Sequence, residues 1–169
     1  FSLVDPDNRR AVDYALRERM LEALRGVDER KAAAFAHELA SSALDGRAKM
    51  WVIVRALGLR AAQPELYESG RDVPLPAGGT RSGHVVAYMR RHGGTFAITI
   101  AGRLWLKLGG ESGVLPIGSE IWTDTAIDAG SASGKLQNVL TGETVIVKDG
   151  QIRLAEAFSR FPGALLVPA

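Results

Sequence analysis

The chain has 169 residues, 46% of them hydrophobic and 24% charged, so it can form one sizeable domain or two small ones with a packed core. Its formal charge is only +2, and acidic and basic residues alternate between Arg17 and Arg25, so no nucleic-acid-binding surface is predicted. The absence of cysteine excludes disulfides and favours a reducing, cytoplasmic compartment, and no apolar run is long enough to predict a membrane span.

The first predicted helices follow from apolar spacing and from capping residues. Gly26 is expected to end the first helix, and Asp28 to cap a second that runs to about Leu44. The apolar positions that repeat at helical spacing in the first helix are Val12, Leu16, Met20 and Leu24.

A third apolar segment runs from Lys49 to Leu59. Its β-branched centre would suit a strand, but its length favours a helix that is ended by Pro64. Because apolar residues lie on nearly all sides of this helix, we expect it to be buried and to need a partner surface beyond its two neighbours.

From about residue 72 the pattern changes to short β-branched and aromatic segments separated by turns. Residues 74–79 resemble a linker, Gly93-Gly94 a turn, and Asp149-Gly150 a type I′ hairpin turn. The sequence therefore predicts an α+β chain with a helical segment at 1–71 and an antiparallel, sandwich-like β-domain at 72–169. The predicted strands are 84–89, 95–100, 144–147, 151–154 and 164–167.

The opening segment, residues 1–10, closely resembles part of the maltooligosyltrehalose synthases, a family within the α-amylase superfamily of glycoside hydrolases. Weaker similarities follow in the family's order along the chain. One difference is that Ala11 stands where the family usually has proline. The further segments that resemble the family are 45–49, 55–60, 64–67, 138–142 and 161–166.

The resemblance implies that residues 1–71 are the end of a (β/α)8 barrel, namely the loop after the eighth strand and the last helices. It also implies an isomerase of carbohydrate metabolism, a glucosylmutase of trehalose biosynthesis. Such an enzyme converts the reducing-end α-1,4 linkage of a maltooligosaccharide to an α,α-1,1 linkage without a cofactor. The catalytic carboxylates of the family lie on barrel strands that would precede Phe1, so we expect no catalytic residue here and an inactive isolated chain.

The residues most expected to contact substrate lie in the opening loop, because active sites of such barrels lie on the loops after the strands. Carboxylates and guanidinium groups can each hold two directed hydrogen bonds to sugar hydroxyls. The alternative is that the acidic and amide groups cap the next helix and the arginines pair with them. The predicted substrate-binding residues are Asp5, Asp7, Asn8, Arg9 and Arg10.

Other motifs carry weaker signals. The three histidines, His37, His84 and His92, have no metal-ligand spacing and are expected to be structural or on the surface. The glycine-rich residues 109–113 lack the ending of a phosphate-binding loop and are expected to form a surface loop. Each tryptophan could stack on a sugar, but Trp51 is expected in the core, Trp105 is ambiguous, and Trp122, next to Thr123 and Asp124, could be exposed.

Three functions remain open from the sequence: part of an α-glucan-converting enzyme, a module that binds α-glucan without chemistry, or a purely structural β-domain. Because the chain begins at Phe1 and not at methionine, we expect it to be a piece of a longer protein. The substrate would then be a maltooligosaccharide held by the parent barrel. An isolated piece would leave the apolar helix uncovered, so self-association through the helices is also expected.

Overall fold

The computed structural model describes residues 11–42, 45–108 and 115–169. The helices are α1 (Tyr14–Arg25), α2 (Ala32–Ser41), α3 (Arg47–Ala62), α4 (Pro64–Glu68), α5 (Ser119–Trp122) and α6 (Leu154–Ala157). The strands are β1 (Arg71–Pro74), β2 (Ala77–Gly78), β3 (Val85–His92), β4 (Thr95–Gly102), β5 (Ala126–Asp128), β6 (Lys135–Asn138), β7 (Thr144–Ile146), β8 (Gln151–Arg153) and β9 (Gly163–Pro168). None of the helices within these ranges is long and apolar enough to cross a lipid bilayer.

Capping residues set the ends of α1. The carboxylate of Asp13 accepts a 2.8 Å hydrogen bond from the backbone N–H of Leu16, which satisfies a donor that the first turn would leave unpaired. Gly26 follows the last turn, and its N–H bonds back to the Glu22 carbonyl. The predicted first helix is confirmed, with Arg25 as its last residue and Gly26 as its C-cap.

The second predicted helix is confirmed, but it starts later than its cap indicated. Asp28 accepts a hydrogen bond from Arg30 N–H, and this cap opens a 3-10 turn over Glu29–Lys31. The α-helical part begins at Ala32 and ends at Ser41, and the predicted end near Leu44 lies outside the described residues. The capping residue Asp28 therefore marks the start of the 3-10 turn, and the α-helix begins after that turn.

The third apolar segment is a helix and not a strand, as its length indicated. Pro64 has two roles, because it prevents α3 from continuing and opens the short helix α4, where a missing N–H is tolerated. The expectation that α3 is buried is wrong for its second half. Trp51 is 1% exposed but Leu57 is 57% exposed, because the described residues cover only one side of α3 beyond its first two turns.

The strands form two antiparallel sheets. The large sheet has six strands in the order β1-β3-β4-β9-β6-β7, and the small sheet has three in the order β2-β5-β8. The last strand of the chain, β9, lies inside the large sheet and pairs with both β4 and β6. β9 thus joins the β1-β3-β4 half of the sheet to the β6-β7 half.

Residues 74–79, expected to be a linker, contribute to both sheets. Pro74 ends β1, which pairs with β3 at the edge of the large sheet, and Ala77–Gly78 pair with β5 in the small sheet. The prediction was wrong because proline and glycine were taken as signs of a linker. Proline is tolerated at an edge, where its missing N–H breaks no ladder.

The centre of the large sheet, around β4 and β9, has an apolar core on each face. On one face, Ile98 of β4 packs in a core with Ile127 of the small sheet, so the two sheets form a sandwich. On the other face, Ala97 of β4 and Leu165 of β9 share a second core with Trp51 of α3. The order of layers is therefore helices, large sheet and small sheet.

The Asp149-Gly150 turn has the predicted backbone conformation, but it connects strands of two different sheets and not the two paired strands of an ordinary hairpin. Asp149 and Gly150 have φ angles of 51° and 72°, as a type I′ turn requires. Lys148 and Gln151 exchange backbone hydrogen bonds of 3.0 and 2.9 Å across it. The strands on either side belong to different sheets, so this turn carries the chain from the large sheet to the small one.

The predicted mixture of helices and antiparallel strands is confirmed. The described strands close no barrel, and the assignment of the helices to the end of a (β/α)8 barrel stays a prediction. The division between residues 71 and 72 also stays a prediction. Across that position the helices and the large sheet share one apolar core, so the two segments pack as neighbouring layers.

Candidate functional site

The residues predicted to bind substrate all lie outside the described residues: Asp5, Asp7, Asn8, Arg9 and Arg10. The alternative role that the sequence left open for the acidic and amide groups was to cap the next helix. The N-cap of the next helix, α1, is Asp13. The role of the loop in binding substrate stays a prediction.

The three histidines lie on different elements: His37 on α2, His84 in the 3-10 turn Ser82–His84, and His92 at the end of β3. In the part of the chain that the structure describes, no three potential metal-ligating side chains come together. The structural or surface role expected for the histidines stays a prediction. The glycine-rich loop at 109–113 lies outside the described residues.

The tryptophans occupy three different environments. Trp51 lies in the core, as expected. The exposure that the sequence allowed for Trp122 is contradicted: it is fully buried, packs edge-to-face on Phe158 at 5.3 Å and donates to the Pro116 carbonyl. Its polar sequence neighbours gave a misleading signal, because they lie on the outer side of the α5 turn. Trp105 is 45% exposed and is the tryptophan whose indole a sugar could reach.

The family-like segment at residues 138–142 forms a turn that joins the helices to the large sheet. The side-chain oxygen of Asn138, which is buried, accepts backbone hydrogen bonds from Leu140 at 3.1 Å and Leu165 at 3.3 Å. The Gly142 N–H donates back to the Asn138 carbonyl at 2.7 Å. Trp51 of α3 then donates its indole N–H to the Leu140 carbonyl at 2.9 Å. These residues therefore serve to fix α3 against the sheet.

Arg55 makes a second connection one turn further along α3. Its Nε donates to the Val139 carbonyl at 2.7 Å, and its two terminal nitrogens donate to the two carboxylate oxygens of Glu29. The guanidinium carbon lies 5.0 Å from the ring centre of Trp51, within cation–π range. The hydrogen bond from Arg55 and its charge lower the pKa of Glu29, against the opposing effect of partial burial. This pair links the 3-10 turn, α3 and the 138–142 turn.

The carboxylates with displaced pKa values in the described ranges are held in the charged form. Hydrogen bonds from the Thr80 hydroxyl and backbone lower the pKa of Asp124 to about 2. Burial opposes the shift at Asp45, but hydrogen bonds from Arg47 outweigh it and lower that pKa too. A general acid that works near neutral pH needs a raised pKa. These carboxylates, with Glu29, are thus suited to structural ion pairs and turn hydrogen bonds.

A groove of about 850 Å³ lies between α1 and α3. Its floor is apolar, and its α1 rim carries Arg17, Glu18 and Arg25. This surface, called here the helix groove, is open to solvent because the first half of α1 does not pack on other described residues. The other residues that line it are Tyr14, Leu21, Met50, Ile53, Val54, Leu57 and Gly58.

Sequence reasoning expected an uncovered apolar face on α3 but did not identify the residues that form it, although the signal was present. Met50, Ile53, Val54, Leu57 and Gly58 follow the i, i+3, i+4, i+7, i+8 spacing of one helix face. The interpretation of α3 as apolar on all sides concealed this stripe. The apolar residues counted separately on each face of α3 distinguish the side that packs on the sheet from the side that is open.

The described residues form a helix-covered antiparallel β-sandwich with an open apolar groove between α1 and α3. Over 166 residues, 98% of its length, the chain is 35% identical to two Mycobacterium tuberculosis proteins, from strains CDC 1551/Oshkosh and H37Rv, provisionally named maltooligosyl trehalose synthase. It spans 17% of the length of each of these curated relatives and matches a C-terminal part of them. The resemblance seen in the sequence is confirmed at this level.

No model of a known protein family matches the chain. No solved structure matches it either.

Proposed function

We propose that this chain is the C-terminal part of a maltooligosyl trehalose synthase, an isomerase of trehalose biosynthesis in the cytoplasm. The observation that carries the proposal is the 35% identity over 98% of the chain to proteins of that name. The family-like segments support it, because one of them, residues 138–142, is a buried structural turn in this fold.

The proposed reaction is an intramolecular glucosyl transfer that needs no cofactor. A carboxylate attacks the anomeric carbon of the penultimate glucose, and the bond from that carbon to O4 of the terminal glucose breaks as a second carboxyl group donates a proton. The released glucose turns, its anomeric hydroxyl gives a proton to the second group, and its O1 attacks the same carbon. The carboxylate leaves and an α,α-1,1 linkage results. Both catalytic carboxyl groups would lie in the barrel that precedes this chain.

Within that enzyme, this chain would supply the opening loop to the substrate site and the remainder as support. Asp5, Asp7, Asn8, Arg9 and Arg10 would hold sugar hydroxyls beside the reacting bond. The connections from Trp51 and Arg55 to the 138–142 turn would hold the last barrel-side helices against a stable sandwich. The carboxylates described above, whose pKa values are lowered by local hydrogen bonds, suit this supporting role.

The test compares the chain with the longer polypeptide. The reading frame upstream of Phe1 should encode a barrel, and the longer protein should remove the reducing ends of maltopentaose without releasing free glucose in equal amount. The 169-residue chain should leave maltopentaose unchanged. Loss of reducing ends caused by the pure chain alone would contradict the proposal, as would an upstream frame that encodes no barrel.

A second candidate, α-glucan binding without chemistry, is favoured by one observation, the exposure of Trp105. Its indole lies against Gly102, where the absence of a side chain leaves room for the ring. Titration of the chain with maltoheptaose should then shift the tryptophan fluorescence, and Trp105→Ala should abolish the shift while Trp105→Phe retains binding. An unchanged spectrum at millimolar maltoheptaose would remove this candidate.

A further inference from the structure

We propose that the helix groove between α1 and α3 is a docking surface for the polypeptide that precedes this chain in the longer protein, with closest approach at Gly58. The inference rests on the proposed function for the existence of that polypeptide. It goes further by identifying the face that the polypeptide covers and the residue at which the backbones meet.

The exposed stripe on α3 has the pattern of a helix face that packs in a core. Met50 is buried, Ile53 and Val54 are half-buried, and Leu57 is 57% exposed, so burial decreases along one continuous apolar face. On α1, Tyr14 is 77% exposed above the same groove. Large apolar side chains grouped on one concave surface mark an interface, whereas single ones do not.

Gly58 supplies an independent argument. It lies inside α3, where glycine is less favourable than alanine for the helix backbone. A Cβ built at this position would meet nothing within 4 Å, and no left-handed φ is required there. The described residues therefore give no reason for a missing side chain. A backbone that approaches closely from outside would give one, because glycine permits helices to pack at short distance.

We assign the segment that covers the helix groove to the preceding polypeptide because this chain matches only a small part of each relative. The chain spans 17% of their length, so most of each relative is available to pack on it within one molecule. An intramolecular partner is present at high effective concentration, which a second copy of the chain is not. The rim carries Arg17 and Arg25 against Glu18, so the partner should bring apolar side chains flanked by a carboxylate.

The first experiment uses Gly58→Ala and measures melting temperatures. In the 169-residue chain the substitution should raise Tm by about 2–4 °C, because only helix propensity changes. In the longer polypeptide the added methyl group should lower Tm, because it meets the partner backbone. The matched control is Ala61→Gly, an exposed position on α3, which should lower Tm in both proteins. A rise in Tm in both proteins, or a fall in the short chain, would overturn the proposal.

The second experiment uses the absence of cysteine in the chain. Leu57→Cys should react with a maleimide rapidly in the 169-residue chain and at least tenfold more slowly in the longer polypeptide with its other cysteines replaced. Ile146→Cys, at the far edge strand, should react at similar rates in both. Equal rates for Leu57→Cys would overturn the proposal. Protection in the short chain that grows with protein concentration would overturn it in favour of a second copy.

The two proposals fail separately. Activity of the wild-type longer polypeptide on maltopentaose decides the proposed function, whereas melting and labelling decide the groove even in a polypeptide with no such activity.

Discussion

The indole N–H of Trp51 donates a 2.9 Å hydrogen bond to the carbonyl of Leu140, a residue 89 positions later in the chain. Both residues are buried, and the bond crosses from the helical layer to the turn at the edge of the sheet. It satisfies a carbonyl that would otherwise be enclosed without a partner. Orientation of the helices on the sandwich therefore depends on a specific polar contact as well as on apolar packing.

Replacement of Trp51 with phenylalanine should destabilise the chain by about 1–3 kcal/mol, because a buried carbonyl loses its donor and a small cavity forms. Urea denaturation would measure the change. Trp105→Phe is the matched control: its indole is 45% exposed, and the same substitution there should change stability by less than about 0.5 kcal/mol. Equal effects at the two positions would contradict a special role for the Trp51 bond.

Arg55→Lys should cost about 1–3 kcal/mol, although the positive charge is kept. A lysine ammonium cannot donate to both oxygens of Glu29 and to the Val139 carbonyl at once. Arg60→Lys, on an exposed position of the same helix, should be nearly neutral. Denaturant melts of both variants would check this, and a neutral Arg55→Lys would show that charge alone suffices.

Stability should decrease as pH falls from about 4 to about 2, partly because of Asp124. Its folded-state pKa of about 2 lies below the ordinary value of 3.8, so the folded state resists protonation more than the unfolded state. The stabilisation is present above the unfolded pKa and is lost as pH falls through the folded one. Asp124→Asn should flatten this part of the stability curve. An unchanged curve for Asp124→Asn would contradict this role of the Thr80 hydrogen bonds.

Gly150→Ala should destabilise the chain by about 1 kcal/mol through backbone strain alone. Its φ of 72° is unfavourable for alanine, and an added Cβ would contact nothing within 4 Å. Gly94→Ala is the control, because that glycine also has open space but no left-handed φ. Equal melting temperatures for Gly150→Ala and Gly94→Ala would argue against the type I′ geometry.

In the longer polypeptide, Asp7→Ala or Arg9→Ala should lower kcat/KM by roughly tenfold to a hundredfold, which corresponds to about 1.5–3 kcal/mol for a lost charged hydrogen bond. Melting temperatures should change little, which separates a loss of binding from a loss of folding. The assay is the disappearance of reducing ends from maltopentaose. Unchanged kinetics for every alanine substitution from Asp5 to Arg10 would count against substrate contact by the loop.

Local signals predicted the local features of this fold well. Apolar spacing and Gly26 gave the course of α1, and the Asp149-Gly150 pair gave a turn with both required φ angles. Failures arose where partners far along the chain decide the outcome. Within residues 74–79, Pro74 pairs with β3 and Ala77–Gly78 pair with β5, both of which lie far along the chain. Trp122 is buried because Phe158 packs on it.

The candidate surfaces were harder to predict than the elements. The stripe on α3 was visible in the residue spacing, but the sequence could not reveal which side of the helix the sheet would take. That choice depends on Trp51 and Arg55, whose backbone acceptors Leu140 and Val139 lie more than 80 residues away in the 138–142 turn. The similarity of that turn to a family was evident in the sequence, whereas only the structure showed that it accepts the hydrogen bonds that hold α3.

The interior position of β9 has a consequence for synthesis of the protein. Residues 163–168 pair with β4 on one side and β6 on the other, so among the described strands β9 joins the two halves of the large sheet. A ribosome would release this segment after the other described strands, and until then β4 and β6 each expose an unpaired edge. Completion of the sheet should therefore wait until residues 163–168 have left the ribosome, and a stop codon before Gly163 should leave an aggregation-prone chain.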